Sequence, residues 1–361
     1  MATHVEKNFW TMTGLIVVLT GLLLLPSACA SREPALRSGR SGMVEPAKPG
    51  SAPNQSPAGQ SQAKAITGNM KSFKIALVQH GSPVADKPGN LEQIISWTKK
   101  AKKAGAKLVL FPELNITGHA GDKAMVREAE PVPGGPSTNR LAKLAKQLDI
   151  YICAGITEDD HYIHYNTQFI VGPEGFIGKQ RKVHLSGDEY FHFRGGTELP
   201  VFELPFARIG IIICYDNLFP EISRCLAVKG AEVLLCPHAA RFGDWPEDPA
   251  ARYKAVESRK KRWRLTQPCR AFDNACFVAL CDTAGRSAMD ISGVEANHAG
   301  GCMVVNPRGK VIAESKTKDI EDEMIVVELD AEIIAKRRSS AGLNLHRRRP
   351  EVFKVLSKPT L

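Results

Sequence analysis

Cys214 closes the run Ile209-Gly-Ile-Ile-Ile-Cys214. Ile209–Ile213 is short, apolar and β-branched, the pattern of a buried strand. Phe219-Pro220-Glu221 then opens a helical pattern, with proline near the first turn. A thiol at a strand-to-helix turn lies where backbone N–H groups and the helix dipole stabilise a thiolate and a neighbouring oxyanion. A lone cysteine is more often a buried structural thiol, and what sets this one apart is its company. Lys107–Phe111 reads as a strand leading into Pro112-Glu113-Leu114, and Phe176–Arg181 as a strand leading into Lys182-Val183-His184-Leu185. A carboxylate, an ammonium group and a thiol thus each stand at a strand end, where layered α/β folds gather side chains from distant sequence. Their chemistry is coherent. The carboxylate takes the thiol proton, the lysine holds a developing oxyanion, and the sulfur attacks a carbonyl or nitrile carbon.

In order and spacing these stretches resemble the nitrilase superfamily of carbon–nitrogen hydrolases, over about Lys71 to Leu356. The resemblance is carried by Phe111-Pro112-Glu113, by Arg181-Lys182-Val183-His184-Leu185, and by Cys214-Tyr215-Asp216 with Phe219-Pro220-Glu221. Gly230–Pro237, Arg270–Asn274 and Asn306–Gly309 add to it. It implies a four-layer αββα sandwich, an α/β fold, and a triad of Glu113, Lys182 and Cys214 acting through a thioester without metal or organic cofactor. True nitrilases usually carry Cys-Trp-Glu, and carbamoyl-amino-acid hydrolases an arginine soon after the cysteine. Cys214-Tyr215-Asp216-Asn217-Leu218 has neither, which resembles the amidase branches. The implied reaction is hydrolysis of a small non-peptide amide. N-carbamoyl amide hydrolysis and nitrile hydrolysis are the alternatives within the family. Membrane-associated N-acyl transfer is a further one, although those relatives have several spanning helices and this chain has one apolar segment. A binding module on the same scaffold is disfavoured because all three triad positions are filled.

Glu189, with Phe193 and Gly196, resembles the family's Glu-x-x-x-Phe-x-x-Gly segment, where a second glutamate lines the pocket. Its neighbour Asp188 competes for that place, and either is equally a surface charge in form. Tyr215 and His238 are the candidate substrate contacts, His238 because it ends the strand-like Val233–Pro237. A Cys214–His238 dyad of papain type is a rival mechanism that ranks below the triad, since no papain-like signature surrounds the cysteine. His119 has two readings, a contact to the site and, the simpler one, a loop histidine satisfied by hydrogen bonds.

The elements that must position these groups follow from periodicity. Lys74–Gln79, Ile150–Ile156, Tyr165–Val171, Cys276–Cys281, Gly301–Val305, Lys310–Ala313 and Met324–Leu329 read as strands. Gly172-Pro-Glu-Gly175 is the turn between Tyr165–Val171 and the strand that delivers Lys182. Asn90–Ala104, Ser137–Gln147, Ile222–Lys229, Arg264–Asn274 and Asp330–Ser339 read as helices. Ala239–Lys261 is polar and reads as a loop or short helix over the pocket mouth, or as a surface excursion. The basic tail from Ala341 resembles the family's C-terminal extension, which often packs on a partner subunit and implies a homo-oligomer.

Ahead of the hydrolase domain, residues 71–361, stand a signal segment over 1–30 and a flexible linker over 31–70. Gly14–Leu25 is apolar, short for a bilayer span and suited to a signal-peptide core. Three readings remain open: cleavage after Ala28-Cys29-Ala30, lipidation of Cys29 in a lipobox-like Ser27-Ala28-Cys29 that departs from the pattern at Pro26, and an uncleaved anchor. The linker is rich in Ser, Pro, Gly and Gln and has no hydrophobic period. This layout predicts export across a bacterial inner membrane and tethering there, or release to the periplasm or exterior.

The 361 residues, 43% of them hydrophobic, suit one large core plus an appendage. The net charge of +10 admits an anionic partner. However, Lys99–Lys103 lies on a helix face, and neither Arg259–Arg264 nor Arg347–Arg349 comes with a zinc-finger or aromatic-interleaved RNA motif, so no nucleic acid is implied. The nine cysteines form no Cys-x-x-Cys pair, which argues against a metal or redox motif. Cys153, Cys236, Cys276, Cys281 and Cys302 sit in apolar runs and read as core.

Overall fold

The structure, a computed structural model, describes residues 69–358 except 121–122, 243–245, 287–296, 318 and 341–344. The signal segment, Cys29 and nearly all of the linker lie outside the described residues. All described residues belong to one unit, Asn54–Leu361.

In chain order the strands are β1 (Phe73–Gln79), β2 (Leu108–Leu110), β3 (Tyr151–Asp160), β4 (Ile163–Gly172), β5 (Gly175–Arg181), β6 (Val201–Leu204), β7 (Ala207–Ile211), β8 (Val233–His238), β9 (Arg241–Phe242), β10 (Phe277–Asp282), β11 (Ala284–Arg286), β12 (Asn297–Ala299), β13 (Cys302–Val305), β14 (Val311–Glu314) and β15 (Glu323–Leu329). The helices are α1 (Lys87–Lys103), α2 (Pro136–Leu148), α3 (Pro220–Val228), α4 (Pro249–Asn274) and α5 (Ala331–Arg338). One six-stranded sheet has the order β15-β1-β2-β3-β4-β5, the other β14-β13-β10-β8-β7-β6, and β11-β12-β9 form a small third sheet.

Side-chain alternation along the strands makes the layers. Ile75 and Leu77 of β1 join Ile209, Ile211, Leu235 and Phe277 of the second sheet in one buried cluster between the sheets. Ala76 and Val78, from the other face of β1, pack with Leu91 and Ile94 of α1 and Leu141 and Leu144 of α2. The outer face of the second sheet packs Leu234, Val278 and Met303 against Ile222 and Leu226 of α3 and Trp263 of α4. The result is helix, sheet, sheet, helix, with each fully buried aliphatic side chain worth about 1.5–3 kcal/mol. Cys153, Cys236, Cys276, Cys281 and Cys302 are buried in these layers, as their apolar surroundings imply.

The two large sheets share one pattern. In the first, β1, β2 and β3 run parallel, β15 pairs antiparallel outside β1, and β4 and β5 follow antiparallel beyond β3. In the second, β7, β8 and β10 run parallel, β6 lies outside β7, and β13 and β14 lie beyond β10. Each sheet therefore has three parallel strands whose carboxyl ends lie at the same edge.

One element departs from its expectation. Most of the segment over 239–261 is not loop: α4 starts at Pro249, capped by Asp248, which accepts from the N–H groups of Ala250 and Ala251, and it runs unbroken through Pro268. Its polarity hid it, because only Val256, Lys260, Trp263, Gln267, Ala271 and Asn274 are buried and they include few apolar residues. Within it, Lys260 is buried and donates to the carbonyls of Ser315 and Thr317. On α1, by contrast, Lys99, Lys100 and Lys103 are exposed, a solvated face.

Candidate active site

Glu113 leaves β2 in a tight turn in which Leu114 takes a left-handed conformation (φ 48°). Gly155 of β3 makes room for that turn, since a Cβ there would lie 2.4 Å from the Leu114 nitrogen. Lys182 directly follows β5, and its N–H donates to the Asn166 carbonyl of β4 (2.8 Å). Cys214 opens a 3-10 turn, Cys214–Leu218, between β7 and α3. Its φ is 47°, a conformation that costs a residue with a side chain about 1–3 kcal/mol and that recurs where a site requires it.

Glu113, Lys182 and Glu189 form one buried network, and Cys214, half-buried, lies close enough to feel their charges. Lys182 Nζ donates to Glu113 Oε1 (2.7 Å) and to both oxygens of Glu189 (2.9 and 2.7 Å). Asn166 Nδ2 donates to Glu113 Oε1 (2.7 Å) and Glu189 Oε1 (2.9 Å). The second oxygen of Glu113 accepts from the Ala239 N–H (2.8 Å), and that of Glu189 from the Ser186 N–H and hydroxyl (2.8 and 2.9 Å). Burial pushes the Glu113 carboxyl up, but Lys182 and His119 outweigh it, and the group ends below the usual carboxylate range. Glu189 likewise ends well below it, because hydrogen bonds and charge from His119 and Lys182 overcome desolvation. Lys182 is held above its ordinary value despite burial, by Glu113, Cys214 and Glu189. Desolvation, then the charge of Glu113, drives the Cys214 thiol well above its usual value, against the pull of Lys182. The resting site therefore holds two carboxylates, an ammonium and a neutral thiol. Removal from water outweighs the helix dipole and the lysine, so the thiol keeps its proton at rest.

Residues 74–338 match the carbon–nitrogen hydrolase family. The chain is 32% identical over 268 residues to a nitrilase of Pyrococcus abyssi, covering 73% of this chain and 92% of that one. It is 32% identical over 301 residues to omega-amidase NIT2 of Xenopus tropicalis, covering 80% and 99%. The crystal structure of Nit3 of Saccharomyces cerevisiae, a member of branch 10 of the nitrilase superfamily, aligns with a TM-score of 0.65 at 29% identity, over 77% of this chain and 97% of that one. The chain belongs to the carbon–nitrogen hydrolase family. Its αββα sandwich is the nitrilase fold, and it is an enzyme that hydrolyses carbon–nitrogen bonds.

In this hydrolase the network opens onto a cavity of about 370 Å³ lined by Cys214, Tyr215, His238 and His119, among others. Tyr215 and His238, the expected substrate contacts, are both in its wall. His238 is buried, and desolvation lowers it to about 3, so it is neutral. Its Nε2 lies 3.4 Å from Asn217 Nδ2, and among the described residues no hydrogen bond joins it to Cys214, so the papain-type dyad is not formed. Glu189, not Asp188, occupies the site; Asp188 is exposed and pairs with Arg241 (3.2 Å). His119 is not the hydrogen-bonded loop residue expected: it lines the cavity, with Nε2 3.7 Å from Glu189 and Nδ1 buried without a partner. Glu113, His119 and Glu189 bring ligand atoms within 4.8 Å of one another, but Lys182 Nζ already sits between the two carboxylates and supplies the positive charge a metal would bring.

Two positioning residues escaped the sequence reading. Asn166 bridges both carboxylates from a strand with no motif of its own. Asp216 accepts from the N–H groups of Val183 (3.1 Å) and His184 (2.7 Å) and from His184 Nδ1 (2.8 Å), fastening the cysteine turn to the segment that begins with Lys182. Its place in Cys214-Tyr215-Asp216 was the one available signal. The His184 ring stacks on Phe219 at 3.7 Å and closes the same joint.

Proposed function

We propose that this enzyme is an amidase that converts a small non-peptide amide to its acid through a thioester on Cys214. The observation that carries the reading is the buried Lys182 ammonium, held 2.7 Å from Glu113 and from Glu189, together with a protonated Cys214 thiol that feels their charges and lines a cavity. As the sulfur attacks the carbonyl carbon, Glu113 takes its proton, so no free thiolate need accumulate. The C=O bond opens to an oxyanion that Lys182 and the Tyr215 N–H, a first-turn amide without a helical partner, stabilise. Glu113 returns the proton to the nitrogen, the C–N bond breaks, and ammonia or an amine leaves. Water then attacks the thioester while Glu113 accepts a proton from it, and the acid departs as Cys214 is reprotonated. The same steps serve an N-carbamoyl amide. An amine in place of water would make the second half an acyl transfer, which release of free acid tells apart. An ammonia-release screen over amides, carbamoyl compounds and nitriles tests the reaction class. With a slowly deacylating amide, mass spectrometry should find the acyl mass on the Cys214 peptide alone. An adduct on Cys225 or Cys236 would overturn the assignment.

We further propose that the enzyme is exported and membrane-tethered through Cys29 and works as a homo-oligomer. Gly14–Leu25, Cys29 and the polar linker support the first part. Exposed Leu265 and Phe272 on α4, and Val352, Phe353, Val355 and Leu356 in the C-terminal segment, support the second, since apolar residues gathered on one face commonly mark a contact.

A further inference from the structure

The cavity that holds Cys214 has a one-sided charge. One wall is a face of α4: Arg259, Arg262, Trp263, Thr266 and Gln267 recur at the i, i+3, i+4, i+7, i+8 spacing of a single helical stripe. Residues between them turn elsewhere, Lys260 to the carbonyls of Ser315 and Thr317 and Arg264 to Glu314. None of the described residues lining the cavity is acidic. Arg241, on the facing side, is matched by Asp188. Arg259 donates only to the Arg241 carbonyl (3.1 Å), and among the described residues neither Arg259 nor Arg262 has a carboxylate at ion-pair distance. The carboxylates of Glu113 and Glu189 are engaged by Lys182. Arg259 acts at longer range on the buried Asp282 carboxyl, but among the described residues neither guanidinium is paired with a carboxylate, and a guanidinium is built to take one in a fork.

We propose that Arg259 and Arg262 are specificity-determining residues that bind a carboxylate on the acyl portion of the substrate. This rests on the amidase reading of Cys214. The arginines come from the long helix and not from the segment after the nucleophile, so the substrate's charged end lies against α4 while its amide meets Cys214. A cationic amide meets the same two charges as repulsion.

The test compares amides of one length and three charges: succinamate, butyramide and 4-aminobutanamide. A charge-assisted contact predicts that kcat/KM for succinamate exceeds that for butyramide by about 10- to 100-fold, with 4-aminobutanamide the poorest. Raising the ionic strength should raise KM for succinamate and leave that for butyramide in place. Arg259→Gln and Arg262→Gln should each lower the succinamate-to-butyramide ratio by roughly tenfold, through KM. Arg262→Lys should restore part of that ratio, and Arg262→Glu should move the preference toward the cation. The salt series needs only the wild-type protein, so a variant that fails to fold leaves the proposal testable. Butyramide turned over as well as succinamate by the wild type, or a ratio unmoved in both glutamine variants, overturns it while the amidase reading stands. Failure of all three amides with the wild type overturns both.

Discussion

Glu189→Gln keeps shape and removes one charge from a site in which every oxygen is used. Glu189 Oε1 accepts from Asn166 and Lys182, and Oε2 from Lys182 and from the Ser186 N–H and hydroxyl. A glutamine has one acceptor oxygen and one NH2 group. With its oxygen at the Ser186 side, the NH2 group meets Asn166 Nδ2 and Lys182 Nζ as donor against donor; turned over, it meets the Ser186 N–H. Either orientation gives up about two hydrogen bonds to a charged group, each worth about 1.5–3 kcal/mol before the site relaxes. Rotation of the Asn166 amide, whose Oδ1 is without a partner, recovers part of this. A net loss of about 2 kcal/mol lowers Tm by roughly 3 °C for a chain of this size, at about 2.1 cal/mol/K of unfolding entropy per residue. Lys182 then keeps one hydrogen bond to the amide oxygen but only Glu113 as a charged partner, and shifts toward it; a displacement of about 1 Å at the oxyanion site costs on the order of 100-fold in kcat. The charge of Glu189 also helps to raise the Cys214 thiol, so its removal should move the pH midpoint of Cys214 alkylation downward. The assays are thermal unfolding, steady-state kinetics and iodoacetamide labelling against pH. Wild-type kcat refutes the reasoning. So does a lowered Tm with the alkylation midpoint unmoved, since that leaves Glu189 a structural role only.

The remaining predictions are shorter. Cys214→Ala should abolish hydrolysis, and Cys214→Ser should come close to it because a hydroxyl is a much weaker nucleophile without a matched base; ammonia release at high enzyme concentration measures both. Burial raises the Asp282 carboxyl to about 7 from 3.8, so the folded state favours its protonated form, and stability present below the lower value is lost as pH rises through the higher one. Asp282→Asn keeps an oxygen for the Ala240 N–H and removes that loss, so its gain in Tm over the wild type should be larger at pH 8 than at pH 5; an equal gain at both rejects the argument. In a bacterial host the full-length protein should fractionate with membranes and, in detergent, scatter light as more than one chain. Cys29→Ser should release it or block its processing, and an unmodified monomer in the cytosol removes both parts of that proposal.

Strand ends and their residues were legible because two forces agree on them. A run such as Ile209–Ile213 is apolar on both faces, as a strand between a core and a helix layer must be, and the first polar residue after it marks the sheet's edge. Glu113 and Cys214 are such residues, whereas Lys182 follows the polar Lys179-Gln180-Arg181 and stands out by its motif Arg181-Lys182-Val183-His184-Leu185. Asn166 was not legible, since it lies inside β4 and becomes part of the site only because β4 pairs with β5 next to Lys182. At Cys214 the opposing charges were legible and the size of the shift was not: local sequence displays a lysine that lowers the thiol and a carboxylate that raises it, whereas desolvation depends on the whole fold. The first half of α4 was left open between loop and short helix because its inward stripe is polar, and that polarity belongs to the cavity.

The repeated pattern of the two sheets explains why the site needs both. The first sheet supplies Glu113 after β2 and Lys182 after β5, and the second supplies Cys214 after β7. Packing of Ile75 and Leu77 against Ile209 and Phe277 brings the sheets together, but apolar contact is non-directional and fixes no atom to a fraction of an ångström. Polar joints set the distances. Glu113 donates its N–H to the His238 carbonyl (3.3 Å) and accepts the Ala239 N–H (2.8 Å), which ties the first sheet's carboxylate to the end of β8. Asp216 ties the second sheet's cysteine turn to Val183 and His184, directly after Lys182. Each joint uses a carboxylate from one half and backbone N–H groups from the other. Backbone donors cannot rotate away as side chains do, so main-chain geometry helps to set the Glu113 carboxylate and the Cys214 turn, whereas the Lys182 ammonium is held by side-chain acceptors.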